Sequence, residues 1–395
     1  MEKTVKKQTF MQGVMSIMFS QVIIKILGLF YKLYLTNREG FGDNGNAIYS
    51  SGYHIYALLL TISSLGVPSA IAKLISERLA IGDTKGAHRV FKISLVTFAL
   101  IGLISTFILF FGADYISNVI LKIPEAKYTL IALSPAIFFV SITAVFRGYF
   151  NGRREMSVSA KSQSLEQLFK TVITIMMVEI IASISKTNTL FMAAGANLAT
   201  TIATFFSYIY IFFYYINRKK TISKEINIPI KLRQETAKSI IKKILYVSIP
   251  IALTSLMASV NRNIDSITVV RKLKEFLPET EAMRQYGILG GKIDILTSLP
   301  LALNAGLAVS LVPTISSGLA KGKDKDNSKK ISFSLLLTII FALPCAIGLL
   351  ILAFPILNLL FPNANDGSTL LQIASFTILF TMLSQTIIAV LQGIR

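Results

Sequence analysis

Apolar residues in this chain are gathered into long runs, and polar residues are confined to the stretches between them. A helix needs about 20 residues to cross a bilayer, and about ten runs reach that length. They cover residues 10–35, 48–72, 90–112, 128–150, 163–183, 190–216, 244–269, 287–315, 331–361 and 370–392. Because a bilayer interior offers no water to backbone groups, these runs predict an all-α polytopic membrane protein with about ten transmembrane helices.

Two short motifs recur along the chain. The stretch 65–71 returns in looser form at 309–315, with Pro313 standing 245 residues after Pro68, and the stretch 145–148 returns at 390–393 with the same offset of 245. Internal repeats of this kind build many transporters, in which the substrate path lies between the two halves. The repeat therefore predicts two related helical lobes.

The longest polar stretch marks the predicted boundary between these lobes. We predict a first lobe of six transmembrane helices at 1–216, a basic cytoplasmic loop at 217–243, and a partial second lobe of four helices at 244–395. If the halves correspond, two more helices are expected after Arg395, so the sequence has the pattern of a chain cut short at its C-terminus.

Composition and charge support the membrane assignment. The chain is 53% hydrophobic and 15% charged, whereas soluble domains carry about 25% charged residues. Most of its 40 lysines and arginines fall in alternate loops, and this positive-inside bias places the N-terminus in the cytoplasm. The net charge of +20 is therefore explained by a multi-pass protein of the cell membrane that contacts anionic lipids, and we expect no nucleic-acid partner.

Residues for enzymatic chemistry are scarce. Cys345 is the single cysteine and the chain has two histidines, so neither an internal disulfide nor a cysteine or histidine metal cluster is expected. No Ser/His/Asp arrangement and no phosphate-binding glycine loop stands out. We therefore expect a protein that is not an enzyme and has no cofactor, with Na⁺ or H⁺ as candidate coupling ions.

Lys25 is the sharpest functional signal, because it lies near the middle of the first apolar run. A charge at that depth costs about 2.5–3.5 kcal/mol on insertion scales. Gln21, Lys25, Gly28 and Lys32 share one helical face, which we expect to look into a hydrated cavity. The alternative is that the lysines reach back to a headgroup region. Arg38 follows in a glycine-rich stretch that is equally consistent with an ordinary external turn.

The charges of the first four runs are asymmetric. Their interiors contain no Asp or Glu, although the first contains Lys25. A cavity that holds cations and no acids attracts anions, and lysine binds phosphate as a point charge. This pattern favours an anionic substrate over an organic cation.

The seventh and eighth runs supply further candidates. Asn261 and Asp265 share a face and could coordinate a cation such as Na⁺, or Asp265 could instead pair with Arg262 three residues earlier. Asn304 lies deeper in the eighth run and is a candidate for lining the cavity, as are Asn261 and Arg262. We interpret Lys292 as snorkelling at the outer interface and the polar face that ends at Lys170 as a solvated helix end.

Several motifs together resemble a known family. They are Lys25–Gly28 with Gly42–Tyr49, Gly66–Lys73, Arg147–Gly152, Gln163–Gln167 and the stretch from Gly287 to Pro313. Their pattern resembles the stage V sporulation protein B and lipid II flippase-like group of the MOP superfamily, which also contains polysaccharide flippases and MATE exporters. The resemblance extends over essentially the whole chain.

The resemblance implies a MATE-like fold of two lobes around a central cavity that opens to each side of the membrane in turn. It implies a flippase for an undecaprenyl-diphosphate-linked cell-wall precursor, either lipid II or another polysaccharide repeat unit. Lys25, Lys32 and Arg38 match the positions that bind the diphosphate, and Asp265 matches a Na⁺-coupling position. Cell-wall synthesis proteins are candidate partners. The alternatives are a cation-coupled multidrug or metabolite exporter of the MATE type and a scaffold-like membrane component.

Overall fold

The computed structural model describes residues 10–64, 66–185, 188–226, 235–302, 304, 311, 315 and 324–394. Nearly all of these residues are helical and no β-strand occurs among them, which confirms the predicted all-α class. Two π-helical turns, Ile116–Leu121 and Leu289–Ile293, follow α4 and α9. The α-helices are α1 (Phe10–Asn37), α2 (Gly42–Ser64), α3 (Val67–Ala80), α4 (Thr84–Tyr115), α5 (Ala126–Gly152), α6 (Met156–Ile184), α7 (Thr189–Ile226), α8 (Ala237–Phe276), α9 (Glu279–Ile288), α10 (Asp324–Ile351), α11 (Ala353–Leu360) and α12 (Ser368–Ile394).

Seven helices in the described ranges are long and apolar enough to cross a membrane. They match seven of the predicted runs, so a multi-pass membrane protein is confirmed but the count of about ten spans is not. The runs at 48–72, 244–269 and 287–315 have no counterpart among the seven. The seven are Phe19–Asn37, Thr84–Leu121, Ala126–Gly152, Met156–Ile184, Thr189–Lys219, Asn327–Ile351 and Ser368–Leu391.

The run at 48–72 does not form one helix, because α2 ends at Ser64 and a separate helix, α3, begins at Val67. Gly66 has φ +83°, a left-handed conformation that glycine adopts without steric cost. Pro68 then lies in the first turn of α3, where its missing N–H leaves no helical hydrogen bond unmade. The polar stretch 217–243 also differs from a simple loop, since α7 continues to Ile226 and α8 begins at Ala237.

Glycine allows α3 and α5 to approach closely. A side chain at Gly148 would lie 2.9 Å from the Pro68 carbonyl oxygen, and one at Gly152 would lie 2.8 Å from the Ala72 carbonyl oxygen. Small residues four apart are a common means of packing membrane helices. The glycines that carried part of the family resemblance therefore hold two helices together.

Packing divides the chain into two compact units. The first contains Met1–Tyr31 and Ile48–Ala282, and the second contains Lys32–Ala47 and Met283–Arg395. The core of the first unit includes an aromatic group in which Phe91 packs on Phe146, Tyr149 and Tyr215. The division into lobes at 1–216 and 244–395 rests on the sequence repeat and stays a prediction.

Candidate functional site

A polar seam joins α1 to α6 inside the first unit. The Gln21 side-chain amide donates a hydrogen bond to Gln163 Oε1 at 3.0 Å, and Thr171 Oγ1 donates to the Leu27 carbonyl oxygen at 3.3 Å. A side chain at Gly28 would be in ordinary contact with the Gln167 amide. Gln21, a candidate for lining the cavity, is therefore engaged in the contact between two helices.

Lys25 lies on the same helix but outside this network. Its side chain is exposed, and it makes no hydrogen bond or ion pair with any residue in the described part of the chain. It lies within the candidate membrane span Phe19–Asn37. An intramembrane cation without an internal partner marks a candidate functional site by default, although its position in a hydrated cavity stays a prediction.

Lys32 and Arg38 belong to the second unit. The Lys32 ammonium is 6% exposed and donates to Asn46 Oδ1 at 3.2 Å, while the Asn46 amide donates to Thr36 Oγ1 at 2.8 Å. Arg38 is half-buried in the turn between α1 and α2. Lys25 thus falls in one unit and the other two diphosphate-binding candidates fall in the other.

Sequence reasoning misjudged Lys292, which is fully buried in the second unit and does not reach an interface. Its ammonium donates to Asp43 Oδ2 at 3.0 Å and to the Ala364 carbonyl oxygen at 2.7 Å. Lys292 lies in the π-helical turn Leu289–Ile293, a distortion that often occurs at functional positions. Asp43 Oδ1 is buried and has no hydrogen-bond partner within the described structure. Burial raises the pKa of Asp43, an effect that the charge of Lys292 opposes.

Two glycines make the approach of Asp43 to Lys292 possible. A side chain at Gly287 would collide with the Asp43 carbonyl oxygen, and one at Gly291 would lie 2.6 Å from the Asn46 side-chain nitrogen. Because Gly287 and Gly291 are four residues apart, they present one small-residue face to the start of α2. The buried ion pair therefore depends on glycines that sequence reasoning used only as part of the family resemblance.

Lys170 is 6% exposed, so the prediction that it belongs to a solvated helix end is wrong. Its ammonium lies 4.5 Å from the centre of the Tyr53 ring and 5.4 Å from that of Tyr31, and it donates a hydrogen bond to the Tyr49 hydroxyl. The Tyr31 and Tyr49 hydroxyl oxygens are 3.4 Å apart. We call Lys170 with these three residues the tyrosine cage. The spacing of Tyr49 and Tyr53, one helical turn apart, is the signal that could have indicated an aromatic face.

The acidic residue one turn before Lys170 is already paired. Glu166 Oε2 accepts a hydrogen bond from the Arg147 guanidinium at 2.7 Å. The same guanidinium donates to Ser162 Oγ and to Ser207 Oγ, both at 3.0 Å. Arg147 therefore joins α5, α6 and α7, and Glu166 neutralises Arg147 instead of Lys170.

The remaining predicted residues are Asn304 in the second unit and three residues of α8 in the first unit. Asn304 is 4% exposed, its side-chain nitrogen donates to the Met382 carbonyl oxygen at 2.9 Å, and its oxygen accepts from Thr338 at 3.4 Å. This buried network joins Asn304 to α10 and α12, and the role of Asn304 in lining a cavity stays a prediction. The side chains of Asn261, Arg262 and Asp265 lie outside the described residues. In the described part of the chain, no group of three or more His, Cys, Asp and Glu residues could hold a metal ion.

The chain is similar in sequence to two bacterial proteins. The chain is 28% identical over 325 residues to stage V sporulation protein B of Bacillus subtilis (strain 168). The aligned region covers 80% of this chain and 60% of that relative. The chain is 22% identical over 398 residues to the lipid II flippase MurJ of the same organism, and that alignment covers 98% of this chain and 73% of that relative.

A solved structure shows the same fold. The inward-facing conformation of a multidrug resistance MATE family transporter of the MOP superfamily has a TM-score of 0.75 and 14% sequence identity, over 97% of this chain and 85% of that one. The MATE-like fold implied by the family resemblance is therefore confirmed. The profile of one family, described as polysaccharide biosynthesis protein, matches residues 10–318. Since that match covers well over half of this chain, the multi-pass protein of the cell membrane belongs to the polysaccharide biosynthesis protein family.

Proposed function

We propose that this chain is a flippase that moves an anionic lipid-linked oligosaccharide from the cytoplasmic to the outer leaflet of the cell membrane. The substrate class is an undecaprenyl-diphosphate-linked cell-wall precursor, either lipid II or another polysaccharide repeat unit. Membership of the polysaccharide biosynthesis protein family supports this reading, as does similarity to relatives named for sporulation and for lipid II flipping. The binding site would be exposed to each face of the membrane in turn.

One observation supports an anionic substrate above all. Lys25 lies within a candidate membrane span, is exposed on the first unit, and forms no ion pair with a carboxylate of the described residues. The whole of α1, Phe10–Asn37, contains no Asp or Glu. An unneutralised cation in a low-dielectric setting attracts anions, and a diphosphate would supply the negative charge that balances Lys25. Lys32 and Arg38 stay further candidate contacts.

The MATE-like fold makes an exporter of organic cations the competing function. Such a substrate would meet Lys25 and the buried ammonium of Lys170, and like charges at close range repel. The first unit therefore favours the flippase over the exporter. Coupling to Na⁺ through Asp265, or to H⁺, remains a separate proposal that the flippase does not require.

The test is flipping by the purified chain in vesicles. A fluorescent diphosphate-linked oligosaccharide lipid is placed in the membrane, and its exposure to an impermeant quencher is followed with time. We expect Lys25→Ala to slow flipping by about tenfold or more, which corresponds to about 1.4 kcal/mol of lost stabilisation.

The matched control is Lys85→Ala, which removes the same charge from an exposed position at the start of α4. Its flipping rate should equal that of the unmodified chain. Flipping no faster than in protein-free vesicles would refute the flippase function itself. Equal rates for Lys25→Ala and the unmodified chain would refute the role of Lys25 alone.

A further inference from the structure

Lys170 is a buried cation that forms no ion pair with a carboxylate in the described part of the chain. It is 6% exposed, and its ammonium lies against the phenol groups of the tyrosine cage. Its nearest acidic neighbour along α6, Glu166, is paired with Arg147 at 2.7 Å. The charge on Lys170 is therefore balanced by ring faces and one hydroxyl, not by an opposite charge.

This arrangement is costly for packing alone. Removing an ammonium from water carries a large desolvation penalty, and contacts with aromatic faces return only part of it. A leucine or methionine would fill the same space without that penalty. Ionisable residues that persist inside membrane domains usually serve the path of a substrate or an ion.

The seam between α1 and α6 fixes the depth of Lys170. Thr171 Oγ1 contacts the Leu27 carbonyl oxygen, and Gly28 lies against Gln167, so the level of Lys170 on α6 matches residues 27–28 of α1. Lys25 lies two to three residues earlier on α1, which is a rise of about 4 Å along the helix axis. Lys25 and Lys170 therefore lie at nearly the same depth in the first unit.

We propose that Lys170 determines substrate specificity, as a fixed positive charge that favours a diphosphate over a monophosphate or an uncharged lipid at the level of Lys25. This inference rests on the proposed function. Lys170 acts through space and need not touch the ligand. At an effective dielectric constant of about 20, a charge located about 10 Å from a ligand changes the affinity roughly tenfold per unit of ligand charge. Burial protects this field from screening by salt.

The experiment measures equilibrium binding of farnesyl diphosphate, farnesyl monophosphate and farnesol to the purified full chain in detergent. Lys170→Met should reduce the preference for diphosphate over monophosphate by roughly tenfold, because the two ligands differ by about one charge. Farnesol binding should not change, because farnesol carries no charge. A lost packing contact would instead weaken the binding of all three ligands alike. Lys170→Arg keeps the charge and should keep the preference.

The matched control is Lys161→Met, which makes the same change at an exposed position on the same helix. It should leave the preference intact. If the unmodified chain does not prefer the diphosphate, the proposed function fails. If Lys170→Met keeps that preference, only this inference fails. If neither Lys170→Met nor Lys170→Gln folds, the lysine serves packing, and the inference is overturned.

Discussion

Loss of one member of the buried pair of Asp43 and Lys292 should strongly destabilise the second unit. Their charged atoms are 3.0 Å apart, and the exposed fractions of the two side chains are 6% and 0%. At an effective dielectric constant of about 20, that separation corresponds to an attraction of about 5 kcal/mol. Part of it offsets the cost of removing both charges from water, so the pair matters most when one member is lost.

The perturbation is Lys292→Met, which keeps most of the apolar part of the side chain and removes its charge. It leaves the Asp43 carboxylate buried and unpaired, and it removes the hydrogen bond to the Ala364 carbonyl oxygen. We expect a loss of about 3–5 kcal/mol in the free energy of unfolding. The thermal midpoint should fall by an amount on the order of 10 °C, measured by thermal unfolding in detergent.

Three companion variants make the measurement decisive: Asp43→Asn alone, Asp43→Asn combined with Lys292→Met, and Lys272→Met. Asp43→Asn combined with Lys292→Met removes both charges, so its loss should be smaller than the sum of the single losses by several kcal/mol. Lys272→Met breaks an exposed pair with Glu275, in which the side chains are 72% and 52% exposed, and should cost less than about 1 kcal/mol. The reasoning is wrong if Lys292→Met is no more harmful than Lys272→Met, or if the single losses simply add.

Two further predictions concern packing and pH. Gly287→Ala should lower the thermal midpoint, because its side chain would collide with the Asp43 carbonyl oxygen, whereas Gly348→Ala, with open space around it, should raise the midpoint slightly. An equal effect of both changes would contradict this. A hydrogen bond from Lys243 lowers the pKa of Glu235, so this carboxylate stabilises the fold above its ordinary pKa, and the contribution is lost as the pH falls through its folded value. As the pH falls below about 4.3, the thermal midpoint of the unmodified chain should therefore fall more than that of Glu235→Gln. Parallel plots of midpoint against pH for the two proteins would refute this role of Glu235.

The candidate site was only partly predictable, because sequence position does not reveal which partner a charge will meet. Lys25 and Lys32 were assigned to one helical face by their spacing. The structure leaves Lys25 exposed, whereas Lys32 is buried against Asn46. Asn46 lies on another helix, so a periodicity argument limited to α1 could not include it. Asn304 likewise forms its hydrogen bonds with Met382 and Thr338 on other helices, which its own helical face could not indicate.

The sequence by itself determined the helical membrane fold. The length of an apolar run and the need to satisfy backbone groups in lipid are local properties, so no knowledge of neighbouring helices was required. Tertiary structure alone decided that Lys170 and Lys292 are buried and that Asp43 neutralises only one of them. The physical reason is that desolvation and pairing depend on side chains brought together from distant positions, here within one aromatic cage and along one glycine-lined contact.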